Sequence, residues 1–173
     1  MTKLYQYVGP VEIKKRVIHA PPGMRVESIA DLEGWIRSTG QQPDLAGLLA
    51  VTFVIDHEDF LRVGDRRSEH VACSGGRPVL SAGEMFFHRG ENGLEGAEVS
   101  NQSTDFCPDP ESWPAVAAAL DRLGIPHPGR FTQEIIFRRC PACSERNVVK
   151  DGSFTCGSCG TDLPAEWNFE CLT

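Results

Sequence analysis

The stretch Cys140-Pro141-Ala142-Cys143-Ser144-Glu145-Arg146-Asn147-Val148-Val149-Lys150-Asp151-Gly152-Ser153-Phe154-Thr155-Cys156-Gly157-Ser158-Cys159 decides how the end of this chain folds. It holds two Cys-x-x-Cys turns with twelve residues between Cys143 and Cys156. Each such turn aims two sulfurs at one point, and two turns together complete a tetrahedral shell of four thiolates. The residues between them suit a hairpin. Asn147 to Lys150 reads as one strand, Ser153 to Thr155 as the other, and Asp151-Gly152 as the tight turn joining them. Four protein ligands leave no open position for substrate, so the expected ion is a structural Zn2+ held by Cys140, Cys143, Cys156 and Cys159. Spacing alone does not separate zinc from iron. A redox dithiol would come singly beside a βαβ pattern, which is absent. A hairpin this small has no core of its own, so metal binding would supply its folding energy.

The two knuckles and the hairpin resemble a zinc ribbon. That resemblance is compatible with nucleic-acid or protein contact, and charge arbitrates between them. The chain carries a net charge of −7, which disfavours a sequence-independent grip on a phosphate backbone. A basic strip of Arg138, Arg139, Arg146 and Lys150 offers the one place for such contact. It is followed by an acidic tail with Asp151, Asp162, Glu166 and Glu170. Nucleic acid is therefore the least favoured partner and a protein the most favoured.

The chain of 173 residues suits one domain plus a small module. Its seven cysteines, an odd number with four in the cluster, do not suggest a secreted disulfide framework. No apolar leader opens the sequence, and the longest apolar run, Leu48 to Ile55 broken by Thr52, is far too short to span a bilayer. A cytoplasmic protein without a membrane segment is expected.

Turn and periodicity signals predict an α+β fold. Residues 4–20 read as short strand pieces, with Lys14-Lys15-Arg16 in a loop or on an edge. Ser28 opens a helix, with Asp31 completing a capping box and Gly40 ending it. Ile29, Leu32, Trp35 and Ile36 share its apolar face. Strands are predicted over 48–55, 60–63, 68–73, 78–88, 97–101 and 131–139, with a glycine-rich loop over 90–96. Asp109 caps a second helix with Pro110 in its first turn, and Gly124 ends it. The expected architecture is a small antiparallel sheet or partial barrel with two helices (1–129), followed by the zinc ribbon (130–173). The short connector predicts that the ribbon docks rather than swings.

Few residues in the first part carry a chemical signal. Side chains on a strand alternate faces, so a strand over 68–73 would point His70 and Cys73 in opposite directions, and Cys73 reads as a buried structural thiol. Glu84 shares a face with Leu80, Ala82, Phe86 and His88. A carboxylate on such a face needs a partner or a shifted pKa. Asn101 opens a polar run, Asn101-Gln102-Ser103-Thr104, of the kind that supports turns. Convergence of His70, Glu84 and Asn101 would make a small polar pocket. No deaminase, Walker or dinucleotide fingerprint is present.

The segment from His70 through Gly75-Gly76-Arg77-Pro78-Val79-Leu80-Ser81-Ala82-Gly83-Glu84 to Val99-Ser100-Asn101-Gln102-Ser103-Thr104 and Pro108 resembles a β-rich module. That module occurs in bacterial toxin-associated proteins and plant calmodulin-binding proteins. There the pattern reads Asn-x-Ser-Gly-His-Tyr, where this chain has Thr104-Asp105-Phe106. The resemblance implies a fold rather than an activity.

Three functional expectations follow. The first is a zinc-binding accessory or protein-interaction protein, with its partner surface near the junction of sheet and ribbon. The second is a small enzyme acting on a nucleotide-like ligand around His70, Glu84 and Asn101. The third is nucleic-acid binding through the basic strip. Sequence leaves the oligomeric state open.

Overall fold

Long apolar strands that must bury both faces organise the chain. The computed structural model describes residues 3–172, with the side chains of Cys171 and Leu172 outside that description. In chain order the elements are β1 (Leu4–Tyr5), α1 (Val11–Val17), β2 (Met24–Val26), α2 (Ile29–Thr39), β3 (Leu48–Asp56), β4 (Leu61–Asp65), α3 (His70–Cys73), β5 (Val79–Gly90), β6 (Gly93–Ser100), a 3-10 turn (Pro110–Ser112), α4 (Trp113–Leu123), β7 (Ile136–Arg139), β8 (Arg146–Val149) and β9 (Cys171–Leu172). Seven strands form one antiparallel sheet in the order β2-β4-β3-β5-β1-β9, with β6 also on β5. The sheet curls into a half-barrel, as expected for the α+β class.

Alternation along β3 sorts the core into two layers. Leu49, Val51, Phe53 and Ile55 face α2 and α4, meeting Leu32, Ile36, Val116 and Leu120. Val54 faces the other way, toward Tyr5, Val71, Cys73, Ala82 and Phe106. A register shift between Ile55 and Asp56, opposite Val79 and Ser81, turns Leu80 into the first layer, away from the Glu84 face predicted for it. Ring and tail residues close a third cluster of Cys107, Phe137 and Phe169 where the ribbon meets the sheet.

α2 starts and stops where its caps predict. Asp109 caps the 3-10 turn Pro110–Ser112, whereas α4 itself starts three residues later than expected, at Trp113 after Ser112, ending at Gly124 as predicted. Ser28 and Asp31 exchange both bonds of the capping box, and Gly40 and Gly124 take left-handed conformations at φ 66° and 68°. Asp109 accepts from the Glu111 N–H at 3.0 Å, with Pro110 beside it. Ile29 departs from its predicted apolar face and is exposed.

Other local expectations are corrected. Residues 11–17 form a helix rather than strand pieces, starting directly after Pro10, which stands at the N-cap in an extended conformation with φ −62° and ψ 134°. Residues 70–73 form one helical turn, not a strand, because the Val71 N–H is captured by Asp105 Oδ2 at 2.8 Å. β6 begins at Gly93, so most of the predicted glycine loop is strand. Gly93 adopts φ 114° at the turn, which only glycine takes readily. The last strand shortens to 136–139. It pairs with β8, so residues 153–155 contribute isolated bridges in place of the predicted second strand. Among the described residues no helix is long and apolar enough to cross a membrane.

Candidate metal centre and its surroundings

Two knuckles of the same backbone form bring the four cysteines together. In the first, the Ser144 N–H donates to the Cys140 carbonyl at 2.9 Å and the Cys140 N–H to the Glu145 carbonyl at 2.8 Å. In the second, Gly160 donates to Cys156 at 3.0 Å and Cys156 to Thr161 at 2.8 Å. Ser144 and Gly160 occupy equivalent left-handed positions, at φ 64° and 75°. Asp151 and Gly152, at φ 51° and 70°, make the tight turn that the sequence predicts between the knuckles.

The thiol sulfurs all lie within 4.8 Å of one another. Cys140 and Cys159 are 3.5 Å apart, and Cys143 and Cys156 3.6 Å. A disulfide would bring sulfurs to about 2 Å. A tetrahedron of 2.3 Å metal–sulfur bonds has edges of about 3.8 Å, close to the separations seen. The four side chains thus fit a metal ion at their centre, through sulfur alone.

Neighbouring groups tune these sulfurs. Backbone N–H groups of Cys159 and Ser158 stabilise the thiolate of Cys156 and bring its pKa down to about 6. The Thr161 hydroxyl and N–H lower that of Cys159. The Glu145 backbone N–H also pulls on Cys143, but its partial removal from water and the crowding of the other thiols raise it to about 12. Asn147 was not singled out by sequence, yet it ties the knuckles together. Its Nδ2 donates to the Glu145 carbonyl at 3.0 Å and lies 3.5 Å from Cys156 Sγ, while its Oδ1 accepts from the Gly157 N–H at 3.0 Å. Only its place inside the hairpin could have marked it.

The module is fastened to the half-barrel. Within the module, Asn168 brackets Arg139 with bonds of 2.8 and 2.7 Å, one residue before Cys140. Arg146 donates to the Thr104 carbonyl across the junction. The Trp167 indole donates to the Cys107 carbonyl at 2.8 Å and meets Tyr5 edge-on at 5.3 Å, so the aromatic tail packs back as predicted. At this junction Lys3, Asp109, Glu111, Arg138, Glu166 and Trp167 line a polar groove of about 440 Å³. Lys3 Nζ sits 4.4 Å from the Trp167 ring centre.

The basic strip is largely occupied. Arg138 is buried and donates to the carbonyls of Phe137, Pro164 and Ala165. Arg139 donates to the Ser144 carbonyl and lies over Phe169. Arg146 is held by Thr104, and Lys150 is exposed beside the hairpin turn.

His70, Glu84 and Asn101 lie near the same stretch of β5, by different means. His70 Nε2 is 2.9 Å from the Gly83 carbonyl, which can only accept, so this nitrogen carries the proton. Burial lowers the His70 pKa against the opposing pull of the Gly83 carbonyl and of Asp105 and Glu84. Glu84, half-buried, pairs across to Thr52 and Ser100. Asn101 is fully buried and its amide is spent on backbone. It donates to Pro108 at 3.0 Å and Ile135 at 2.8 Å, and accepts from the Ile135 N–H at 2.7 Å. Asp105, which sequence reading passed over, joins this group from the same polar run. Its long-range bond to Val71 had no local signal.

Cys73 and Cys107 are buried, and burial pushes both thiols up to about 12. Both are protonated and poor nucleophiles. Since 70–73 is helical, the alternating-face argument for Cys73 does not apply. Its thiol instead lies 3.7 Å from the Arg62 carbonyl, while His70 contacts the Gly83 carbonyl. Cys171, counted with them as lying outside the cluster, has its side chain outside the described residues.

No protein-family model matches the chain, and no curated protein or solved structure matches it.

Proposed function

We propose that this protein is a zinc-stapled accessory protein. In this reading Zn2+ at Cys140, Cys143, Cys156 and Cys159 is structural, and a protein partner meets the groove at the sheet–ribbon junction. The observation that carries the reading is the closed tetrahedron of thiols: every vertex is a protein sulfur, which leaves no position for water or substrate. The groove supports the second half, because Glu111 and Glu166 sit beside an aromatic wall that already accepts the Lys3 ammonium. The bonds that occupy Asn101 favour this reading over an enzyme built on His70, Glu84 and Asn101. The inward turn of Arg138 favours it over nucleic-acid binding.

Metal analysis of the protein purified without added metal tests the first half. About one zinc per chain is expected, and Cys156→Ser should lose it together with the fold of the ribbon. A metal-free protein with an ordered ribbon would overturn it. For the second half, proteins retained from the native cell by the parent chain are compared with those retained by a Glu111→Arg/Glu166→Arg variant. A partner held by the parent and lost from the variant is expected, and identical profiles would remove the groove from the proposal.

A further inference from the structure

α1 is a seven-residue helix with no buried side chain. Ile13 and Val17, four apart, turn toward the core layer of Tyr5 and Phe106. Val11, Lys14, Lys15 and Ile18 fall at i, i+3, i+4 and i+7 and form an opposite stripe. Val11 and Ile18 are 58% and 45% exposed, two of the few large apolar side chains left in solvent. The helix therefore has a second apolar face that the rest of the described chain does not cover.

That face is hollowed on both sides of Ile18. On one side, Tyr7, Val11, Lys14, Lys15 and Ile18 enclose a notch of about 250 Å³ whose walls are wholly apolar, so the lysines contribute their methylenes there. On the other side lies a hollow of about 270 Å³ with Ile18 and Pro22 as its apolar wall and Arg62, Arg77 and His57 among its polar lining. Gly76 makes the join possible. It holds φ 76°, and a Cβ there would stand 3.1 Å from Ile18 Cδ1.

Charge gives the surface its preference. The one carboxylate in the second hollow, Asp56, is saturated. Its Oδ1 accepts from the Glu58 and Phe60 N–H groups at 3.0 Å each, and its Oδ2 takes Arg62 Nε at 2.8 Å. Among the described residues Lys14, Lys15 and Arg77 have no carboxylate partner, while Arg16 is paired with Glu69. In a chain of net charge −7, these cations without a carboxylate partner, Lys14 resting 5.7 Å from the Tyr7 ring centre, cluster around one apolar ridge.

We infer that this ridge is a docking site for an acidic peptide segment of a partner protein. An apolar side chain of the peptide enters the notch, and flanking carboxylates meet Lys14 and Lys15 on one side and Arg77 on the other. Two discrete hollows separated by a ridge suit an extended peptide with side chains at intervals. A lipid surface would instead press on a flat or convex apolar face. The surface is separate from the sheet–ribbon groove and from the metal, and the inference does not rest on either.

The test uses the full metal-loaded chain and a fluorescein-labelled peptide with one leucine at the centre of six glutamates, read by fluorescence anisotropy. Saturable binding at low salt is expected, weakening steeply as salt rises. Lys14→Glu/Lys15→Glu should weaken it by about tenfold or more, since reversed charges repel the peptide. Ile18→Ser should weaken binding and leave the salt dependence in place. Lys15 and Ile18 are exposed and Lys14 is only half-buried, so each variant should keep a cooperative thermal unfolding transition close to the parent's. Glu111→Arg/Glu166→Arg should bind the peptide as the parent does, which separates this site from the proposed groove. Absence of binding by the parent, or binding indifferent to Lys14, Lys15 and Ile18, would overturn the inference. So would retention on phosphatidylserine vesicles through these residues without peptide binding, since that would make the surface a membrane site.

Discussion

Asn101 shows how much one side chain can hold in place. Its amide satisfies two carbonyls and one N–H belonging to segments 7 and 34 residues away. Asn101→Asp keeps the shape but loses both donors and buries a charge. We expect it to destabilise the fold by about 3 kcal/mol, measured by urea unfolding, because each orphaned buried group costs about 1–3 kcal/mol. His70 gives a second expectation. Its folded pKa is lowered by burial from the ordinary 6.5, so the unfolded chain binds the proton more readily. Stability from this group is full above the ordinary value and is lost as pH falls below it. The thermal midpoint should drop on acidification from pH 7 toward 5.5, and His70→Gln should flatten that slope. An unchanged slope in the variant would assign it to other groups. Sequence marked Asn101 and His70 as polar positions. It did not reveal that Asn101 ties down Ile135, since nothing local records a bond to a residue so far along the chain.

At the scale of elements, what was legible depended on whether the signal was local. Caps and left-handed ends are written in one or two residues: α2 begins and ends where Ser28 and Gly40 place it, Asp109 caps the 3-10 turn that leads into α4, and Gly124 ends that helix. Ser28→Ala should cost about 1 kcal/mol by removing one reciprocal bond of the capping box, and thermal melts would show it. The cysteine knuckles and the Asp151-Gly152 turn were equally legible. α3 was not, because a single turn of helix is too short to be set by propensity and depends on Asp105 reaching it from another segment. The pairing of β8 with β7 was also hidden. The Cys spacing predicts a hairpin but does not say which flanking strand the hairpin borrows.

For the molecule as a whole, the ribbon is part of the closure of the half-barrel. Trp167 and Arg146 fasten it to the half-barrel, and the chain then continues into β9 against β1. Metal removal should therefore be felt beyond the knuckles. Titration with a strong chelator should change Trp167 fluorescence and increase hydrogen exchange at β1, while β3 and the buried middle of β5 stay protected. Loss of protection confined to residues 140–160 would show that ribbon and sheet are mechanically independent. The sequence predicted docking from the short connector. It had no means of predicting that the chain returns to pair with its fourth and fifth residues.

That return fixes an order of events during synthesis. Leu4 and Tyr5 leave the ribosome long before the strand that covers their outer edge, Cys171–Leu172. Until then β1 presents unpaired backbone groups to any neighbouring chain, the condition under which sheets join edge to edge. Because the path to β9 runs through the cysteine knuckles, a cell short of metal would prolong that exposure. The yield of dispersed protein in culture should then track metal supply during expression more closely than metal added after purification.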